Sequence, residues 1–591
     1  MDPRQENSGG GGQPSAPGPH GTIVPIGDEW ADGVKPAVVS SRSRRLRWGI
    51  AGAVVLCVAL VTAAGIFVLS GAAGAKSLTA SVAPKDAVAF LEVRTDLPGD
   101  QHTNLADFMS HFQGFEDRAQ FGNAMDNLLN KLTGEVSPDL QYTSAFKPWM
   151  EGEVSIAVMN TGAFDPGTGY APPSSVAIFA LKDRAAAQTW IAGELARVRA
   201  AMASQAYAGT TLYTIGTGAD QGAYALTDQD LLLGTVAGVE AALDTKTNGS
   251  LADNANYQAA MNSLSGDSLA RFYLDPRTVV ADQLDASGAI LGAIAGALGS
   301  PGTSPGATPA ISTASLPAWV AGSIRAESNQ MVMNLAMPRQ TGAGSGNHPS
   351  TLASVLPGTT VGVVEIHSIG ALLAAPLAKL AGQSRTADGI SLQGVQAALT
   401  LLGGTDWIGD GVAAVTREGS TYGGGIVIEA TDASTASSKM ALLNTYAALA
   451  GSSLHVTSRD EAYKGVNITV FSIPDSGSGK PVEIAVAAVG DLLVAGYTAS
   501  FVKAVVDTTP GTSLASQADY SAVMAAAGSS NEGSAYVDVP ALEDQIGQAI
   551  MPSSPSMWKL DYKPYFDHVG GVGYAVIDGN TVILRFVVTA K

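Results

Sequence analysis

Short segments in which apolar and polar residues alternate recur along the chain, and this alternation predicts β-strands. They are rich in Val, Ile, Phe and Ala and are bounded by Gly, Pro, Asp or Ser, which is typical of half-buried strands. In the first half these segments are 87–93 (AVAFLEV), 153–159 (EVSIAVM), 174–181 (SSVAIFAL), 222–227 (GAYALT) and 268–275 (SLARFYLD).

One longer segment follows helical spacing. Residues 184–203 (RAAAQTWIAGELARVRAAMA) place apolar side chains three and four positions apart, and Asp183 stands where an N-cap is expected. Polar turns such as Asp228-Gln229 join successive strands closely, which favours antiparallel pairing. We therefore predict an α+β fold of antiparallel sheets with packed helices, and not a doubly wound sheet.

An uninterrupted apolar run, WGIAGAVVLCVALVTAAGIFVL, predicts a transmembrane helix over residues 48–70. At a rise of about 1.5 Å per residue, roughly 20 apolar residues are enough to cross a membrane. Basic residues stay on the cytoplasmic side, so the sequence predicts a single-pass protein of the cell membrane with a cytoplasmic N-terminus and an extracytoplasmic C-terminal region. The residues that set this orientation are Arg42, Arg44, Arg45 and Arg47.

A cleaved signal peptide is the competing interpretation, because Ala73-Gly74-Ala75 resembles a cleavage site. The apolar run is longer than the usual 7 to 15 or so residues of a signal peptide and follows 47 residues, which favours an uncleaved anchor. Gly49, Ala53 and Cys57 form a stripe of small residues in this run, so homodimerisation through it is a further hypothesis.

The region after the apolar run contains landmarks that occur twice in the same order, which predicts a duplication. Ser81–Pro84 with Glu92 downstream corresponds to Ser354–Pro357 with Glu365 at the same offset. Further matches are Tyr257 with Tyr520, Tyr273 with Tyr536 and Trp149 with Trp407. The predicted organisation is a disordered cytoplasmic tail (1–47), the helix (48–70), a first repeat (76–339) with a flexible insertion (297–315), a linker (340–350) and a second repeat (351–591).

The composition argues against several functional classes. Among 591 residues, 52 are acidic and 33 are basic, a net charge of −19, which argues against nucleic-acid binding. Residues 1–47 hold six basic and five acidic side chains, so their charge is +1 and the remaining chain carries −20. The single cysteine, Cys57, excludes an intrachain disulfide and a cysteine-based metal cluster.

No motif for a metal site or a nucleophile meets its structural requirements. The histidines after the apolar run show no pairing at helical spacing, so we predict no metal and no cofactor. Ser304 lies in a Gly-x-Ser-x-Gly match inside the flexible insertion, and Ser500 with Lys503 matches Ser-x-x-Lys without its partner motifs. The histidines in question are His102, His111, His348, His367, His455 and His568.

Two short motifs in the first half lie beside predicted strands. Asp96, Pro98, Gly99, Asp100 and Gln101 follow one strand, and Lys147, Pro148 and Trp149 precede the next. These motifs resemble the bacterial domain-of-unknown-function family DUF3352, in which the first motif reads Asp-x-Pro-x-Gly-Asp-Gln and is here one residue shorter. Gln113 stands where the family usually has a proline. The resemblance implies a membrane-anchored envelope protein without a known activity, and the motif residues are expected to be structural.

These observations predict a non-enzymatic single-pass protein whose large extracytoplasmic region acts in the cell envelope as a binding or scaffold module. An alternative is a carrier for lipid or another apolar molecule, because residues 286–299 are uncharged, apolar and too short to span a membrane. An envelope hydrolase is the least favoured hypothesis. The predicted partners are the membrane and an envelope protein or a lipid.

Overall fold

The computed structural model describes the chain from Ser77 to Lys591 with internal gaps, and every described residue belongs to one unit, Leu46–Lys591. The predicted tail, apolar run, orienting arginines, insertion and 286–299 segment lie outside the described residues. The described residues are 77–137, 140–160, 164–165, 169–170, 173–198, 201–216, 221–284, 316–340, 346–372, 386–387, 390–391, 403–454, 456–474, 481–551 and 554–591.

Alternating apolar positions produce antiparallel strands throughout. In the first half they are β1 (Ala89–Arg94), β2 (Met150–Val158), β3 (Phe164–Asp165), β4 (Gly169–Tyr170), β5 (Ser175–Leu181), β6 (Met202–Tyr207), β7 (Thr210–Ile215), β8 (Gly222–Leu226), β9 (Asp230–Thr235), β10 (Ala270–Leu274), β11 (Val320–Glu327) and β12 (Gln330–Pro338).

The second half contributes the remaining described strands. They are β13 (His348–Pro349), β14 (Thr360–Ile366), β15 (Thr386–Ala387), β16 (Ile390–Ser391), β17 (Ile408–Glu418), β18 (Thr421–Ala430), β19 (Thr457–Tyr463), β20 (Val466–Ile473), β21 (Val482–Val489), β22 (Leu492–Gly496), β23 (Ser530–Asn531), β24 (Gly533–Asp538), β25 (Val569–Ile577) and β26 (Thr581–Ala590).

Twenty of these strands form one continuous antiparallel sheet. Ten come from the first half, in the order β6-β7-β8-β9-β5-β2-β1-β10-β11-β12. Ten come from the second half, in the order β26-β25-β24-β14-β17-β18-β22-β21-β20-β19. The halves meet where β12 pairs with β26 from Gln330↔Thr589 to Pro338↔Thr581.

Helices pack on this sheet and carry the intervening connections. The α-helices are Gln101–Met109, Phe121–Val136, Tyr142–Ala145, Arg184–Val198, Val236–Leu243, Thr245–Asn248, Ala255–Ser263, Pro276–Leu284, Ala433–Leu454, Ala499–Asp507, Ala518–Ala527, Val539–Ile550, Pro555–Met557 and Lys563–Phe566. Single 3₁₀ turns are Thr79–Ser81, Arg118–Gln120, Leu251–Asp253, Leu352–Ser354 and Leu514–Ser516, and Trp558–Tyr562 is a π-helix.

The predicted fold class needs correction. The described residues form mostly one twenty-stranded antiparallel sheet with helices, and none of their helices combines the length and apolar character that crossing a membrane requires. Ala433–Leu454 is about 33 Å long, but Ser, Thr, Asn and Lys interrupt its apolar residues. The predicted transmembrane helix is therefore not part of the described fold. The predicted domain bounds stay a prediction.

Each half buries its own main cluster of apolar side chains beneath the sheet. The first is centred on Phe90, Ile178 and Tyr273, and the second on Val427, Phe501 and Tyr536. Apolar burial on this scale is the main stabilising contribution in a described region that contains no cysteine. Beside each cluster lies a group of buried charged residues.

Candidate functional site

In the first half, buried carboxylates are neutralised by arginines. Glu92 on β1 lies opposite Arg271 on β10, and Nη2 of Arg271 donates to Oε1 of Glu92 at 2.7 Å. Glu153 on β2 lies opposite Arg94, with 3.5 Å between its Oε2 and Nη1 of the arginine. Both carboxylates are 1% exposed. We call Glu92, Arg94, Glu153 and Arg271 the arginine–carboxylate cluster.

Hydrogen bonds complete the environment of Glu153. It accepts from the side chains of Ser77 and Thr79 and from the backbone N–H groups of Leu78 and Thr79, at 2.7 to 3.1 Å. These donors and the neighbouring arginine offset the cost of burying the carboxylate. This cluster is therefore balanced by residues of the chain itself.

The corresponding positions of the second half lack both arginines. Glu365 on β14 is placed as Glu92 is on β1, but the residue opposite it on β24 is Ser534. His367 stands two positions after Glu365, where the first half has Arg94. Glu365 and His367 are 2% and 0% exposed.

Two histidines and an aspartate meet at this point. His348 comes from β13, which pairs with β23; His367 follows β14; Asp410 lies on β17. One ligand atom from each of the three side chains lies within 4.8 Å of the other two. The imidazole centroids are 4.0 Å apart, with 20° between the ring planes. We call His348, His367, Asp410 and Glu365 the His–carboxylate cluster.

Backbone hydrogen bonds orient these side chains. Nδ1 of His367 lies 2.7 Å from the carbonyl oxygen of Asn531, and Nδ1 of His348 lies 3.2 Å from that of Pro349. Because a carbonyl only accepts, each Nδ1 carries the proton and donates. In the neutral imidazoles, both Nε2 atoms therefore present a lone pair.

A tight turn after β14 positions the aspartate. Ser368 adopts a φ of +48°, in the left-handed region that few residues other than glycine enter. This conformation directs its N–H to Oδ1 of Asp410 at 2.8 Å. The same oxygen lies 3.5 Å from Nε2 of His348. Asp410 is 5% exposed, so its charge is poorly solvated.

Nε2 of His367 is buried and makes no hydrogen bond among the described residues. It lies 3.4 Å from Oε1 of Glu365, which already accepts from Ser350 at 2.8 Å. Burial alone lowers the pKa of His367, but the Glu365 carboxylate, the Asn531 carbonyl and Asp410 together raise it above its usual value. The imidazole is thus in a site that attracts positive charge.

Further carboxylates near the cluster add negative charge. Burial raises the pKa of Glu429, and repulsion from Asp410 and Asp491 raises it further. The site therefore places several carboxylates around two imidazole rings, an arrangement that favours an additional cation.

The first family motif forms a turn beside β11. Gly99 has a φ of +62°, and a Cβ there would collide with the carboxylate of Asp267, so the turn requires glycine. Pro98 and Asp100 belong to the same turn, and Asp96 pairs with Arg94 at 2.6 Å. Gln101 is 2% exposed and accepts from the N–H of Ala326 at 2.8 Å.

The second motif packs around its tryptophan. Trp149 is 1% exposed, donates from Nε1 to the carbonyl of Ala145 at 2.6 Å, and contacts Phe179 and Trp190 with centroids 5.8 and 5.2 Å away. Lys147 pairs with Asp126, and Pro148 is exposed. Trp149 is therefore part of a buried apolar cluster.

The Ser-x-x-Lys residues do not contact each other. Oγ of Ser500 donates to Glu418 at 2.9 Å, whereas Nζ of Lys503 pairs with Glu461 and lies 5.5 Å from the ring centroid of Tyr463. The lysine is not positioned to accept the serine proton. Ser304, of the Gly-x-Ser-x-Gly match, lies outside the described residues.

The other histidines lie away from the cluster or outside the described residues. His111 contacts the carbonyl of Lys591 and Oδ1 of Asn329, both at 3.1 Å. His102 and His568 lie against Phe121 and Phe112. His455 is not among the described residues.

Local spacing could not reveal the His–carboxylate cluster, because its members come from separate strands and meet only through sheet pairing. The usable signal was the internal comparison. Glu92 is followed two residues later by Arg94, and Glu365 by His367, so a histidine replaces an arginine beside a repeated glutamate.

A protein-family model matches most of this chain. A family model described as a protein of unknown function (DUF3352) matches residues 50–460, which is more than half of the chain, and this confirms the resemblance inferred from the sequence motifs. No curated protein and no solved structure matches significantly. The matched range includes the His–carboxylate cluster, and the family description names no function.

Proposed function

We propose that this chain, which belongs to the DUF3352 family of proteins of unknown function, is a non-enzymatic binding module whose ligand site is the His–carboxylate cluster and whose ligand is a cation. One observation carries the proposal: the buried carboxylate that Arg271 neutralises in the first half faces Ser534 in the second. Because an uncompensated buried carboxylate is costly, a bound cation would stabilise this site.

The same glutamate-to-glutamine substitution at the two corresponding positions tests the proposal, because we expect different effects on the thermal unfolding temperature. Glu92→Gln removes a carboxylate that Arg271 needs, so we expect it to lower the thermal unfolding temperature in chelator-treated buffer. Glu365→Gln removes a carboxylate without a paired arginine, so we expect it to leave that temperature unchanged or to raise it.

The same variants are then titrated with Mg²⁺, Ca²⁺ and Zn²⁺ chlorides separately, using the full chain. At least one ion should raise the unfolding temperature of the wild type and of Glu92→Gln. The same ion should produce a smaller increase in Glu365→Gln. If no ion changes the wild type, or if Glu365→Gln destabilises as much as Glu92→Gln, the proposal is wrong.

Absence of catalysis is part of the proposal. It is supported by the separation of Ser500 from Lys503, whose amine pairs with Glu461 instead. Turnover of an acyl or phosphoryl ester by the purified chain that is lost in Ser500→Ala would overturn it. Thr498→Ala, next to Ser500 in the same hydrogen-bonded group, is the matched control.

We also propose that residues 76–591 act in the cell envelope, outside the cytoplasm. The support is the order of basic and apolar residues around position 48 and the charge of −20 on the region beyond residue 47. Tyr497 is 61% exposed, so a Tyr497→Cys variant should react with a membrane-impermeant maleimide on intact cells. Reaction only after lysis would contradict the proposal.

The alternative of a carrier for lipid rests on residues 286–299, which lie outside the described residues. It stays a prediction from the sequence. Native mass spectrometry of the purified chain tests it, because a carrier should retain copurified lipid, whereas a binding module for cations should give the mass of the chain with or without a metal ion.

A further inference from the structure

We infer that the cation is a transition metal of the zinc class, held by Nε2 of His348, Nε2 of His367 and the carboxylate of Asp410. This inference rests on the proposed function and adds the chemical class of the ligand and the three atoms that bind it. The three side chains come from β13, the turn after β14, and β17, so the metal would join three separate parts of the second half.

The donor set selects the class of metal. Two imidazole nitrogens and a carboxylate oxygen suit Zn²⁺ and its neighbours in the first transition series. Ca²⁺ and Mg²⁺ require mainly oxygen ligands and, for Mg²⁺, a near-octahedral shell. A site with two histidines at its centre therefore discriminates against both.

The histidines already have the orientation of metal ligands. A ligating histidine usually donates its other ring N–H to a carbonyl or carboxylate, which fixes the tautomer. Here Nδ1 of His367 contacts the carbonyl of Asn531, and Nδ1 of His348 contacts that of Pro349. The Ser368 N–H likewise fixes Asp410. All three side chains thus have an outer partner on the backbone.

Burial supplies an independent observation. His367 is 0% exposed, and its Nε2 points into the cluster without a hydrogen bond among the described residues. A buried nitrogen that lacks a partner is energetically unfavourable, and a metal bond would provide one. Glu365, whose Oε1 lies 3.4 Å from this nitrogen, is available as a further carboxylate.

A small movement of the side chains would bring the ligand atoms to the distances of a tetrahedral zinc site. Tetrahedral zinc at about 2.0–2.1 Å from nitrogen requires ligand atoms roughly 3.3 Å apart, whereas one ligand atom from each of the three side chains lies within 4.8 Å of the other two. The side chain of His348 is 37% exposed and lies on a two-residue strand. Its Nε2 already lies 3.5 Å from Oδ1 of Asp410, and its exposed edge gives the ion access from solvent.

The first half provides a built-in comparison. Arg94 occupies the position of His367 and lies beside Glu153, as His367 lies near Asp410. A guanidinium supplies positive charge but no lone pair, so it cannot bind a metal. His367→Arg should therefore supply the positive charge that the carboxylates favour and abolish metal binding.

The experiment uses the full chain, stripped with a chelator and dialysed. Competition with a chromophoric zinc indicator measures stoichiometry and affinity for Zn²⁺, and Co²⁺ serves as a spectroscopic probe because tetrahedral coordination gives intense visible bands. The variants are His367→Gln, His348→Gln, Asp410→Asn and His367→Arg. The matched control is His111→Gln, because His111 contacts Lys591 and Asn329 instead of this cluster.

We expect one Zn²⁺ per chain. Each of the four variants should weaken binding by at least about 100-fold, since loss of an outer partner alone typically weakens it by roughly 10- to 100-fold. His111→Gln should bind as the wild type does. The Co²⁺ bands should disappear in His367→Arg while its circular dichroism stays that of the folded protein, which separates loss of the ligand from loss of the fold.

Two results would overturn the metal assignment while the proposed function survives. One is stabilisation by Ca²⁺ or Mg²⁺ equal to that by Zn²⁺ and unaffected by His367→Gln. The other is Zn²⁺ binding that His367→Gln, Asp410→Asn and His367→Arg all leave unchanged but that Glu365→Gln weakens, because the ion would then lie in the cluster on other ligands. Failure of every ion to bind or to stabilise the wild type would overturn the assignment and the proposed function together.

Discussion

Arg271 and Glu92 lie directly opposite each other on neighbouring strands and form a buried ion pair with 2.7 Å between Nη2 and Oε1. Their side chains are 10% and 1% exposed. Burial raises the pKa of Glu92, and Arg271 opposes that rise by favouring the carboxylate. The arginine therefore keeps a charge in the protein interior that would otherwise be unfavourable.

Arg271→Met should destabilise the protein by about 3–5 kcal/mol, because it leaves Glu92 buried without its partner. Urea unfolding at pH 7.5 measures the effect. Adding Glu92→Gln should recover part of the loss, since the two residues act as a pair and their effects are not additive.

A surface pair provides the control for this prediction. Arg459 and Glu483 also form a bidentate contact, but their side chains are 54% and 36% exposed. Arg459→Met should change stability little, because water screens exposed ion pairs. Equal losses in Arg271→Met and Arg459→Met would contradict the role of burial.

The sequence predicted strands well where alternation was clear, as for 153–159 against the observed Met150–Val158. It overextended the helix that begins at residue 184. That helix ends at Val198, and β6 begins at Met202. Residues 199–203 contain neither Gly nor Pro, so helical spacing continues in the sequence into the strand that begins at Met202.

Long-range pairing explains what the sequence could not predict. The contact of β12 with β26 joins residues about 250 positions apart, such as Asn334 and Arg585. The His–carboxylate cluster likewise depends on which strands are neighbours. Periodicity reports the local environment of a residue and carries no information about its partner strand.

Trp149→Ala should lower the free energy of unfolding by about 3–5 kcal/mol, because it removes a fully buried side chain that packs against Phe179 and Trp190. Trp407→Ala is the matched control, since Trp407 is only partly buried and its Nε1 donates to Gly404. Urea denaturation should show the larger loss for Trp149. A larger loss for Trp407 would show that Trp149 is not a main packing residue.

The β12–β26 contact should be essential for coupling the two halves. Val587 is 0% exposed and lies between Val332 on β12 and Gly573 on β25. Val587→Pro removes a backbone donor from the middle of the sheet and should cost at least about 1–3 kcal/mol for the unpaired carbonyl alone. Hydrogen exchange should then accelerate in β12 and in β25.

Proline at the start of the same strand serves as the control. Thr581 is the first residue of β26 and lies opposite Pro338, which has no N–H. Thr581→Pro should leave exchange in the centre of β12 unchanged, because proline is tolerated at the first position of a strand. Acceleration in both variants to the same extent would contradict a specific role for Val587.

Asp230 gives the stability of the first half a predictable dependence on pH. It is 8% exposed and lies at the start of β9. Burial raises its pKa to about 6, with Glu153 adding to the rise, while the hydroxyl of Thr227 favours the carboxylate. A folded-state pKa above the unfolded value of about 3.9 means that the folded state prefers the protonated acid. The stabilising contribution of Asp230 is therefore fully present below about pH 4 and is lost as the pH rises through about 6.

Asp230→Asn should remove this dependence, making the variant more stable than the wild type by up to about 2–3 kcal/mol at pH 7.5 and equally stable near pH 4. Urea unfolding between pH 4 and 7.5 measures the difference. Asp432→Asn is a control of opposite sign, because hydrogen bonds from Ser434 and Thr435 lower the pKa of Asp432 and its carboxylate stabilises the folded state. A constant difference between Asp230→Asn and the wild type across this range would show that Asp230 does not titrate there.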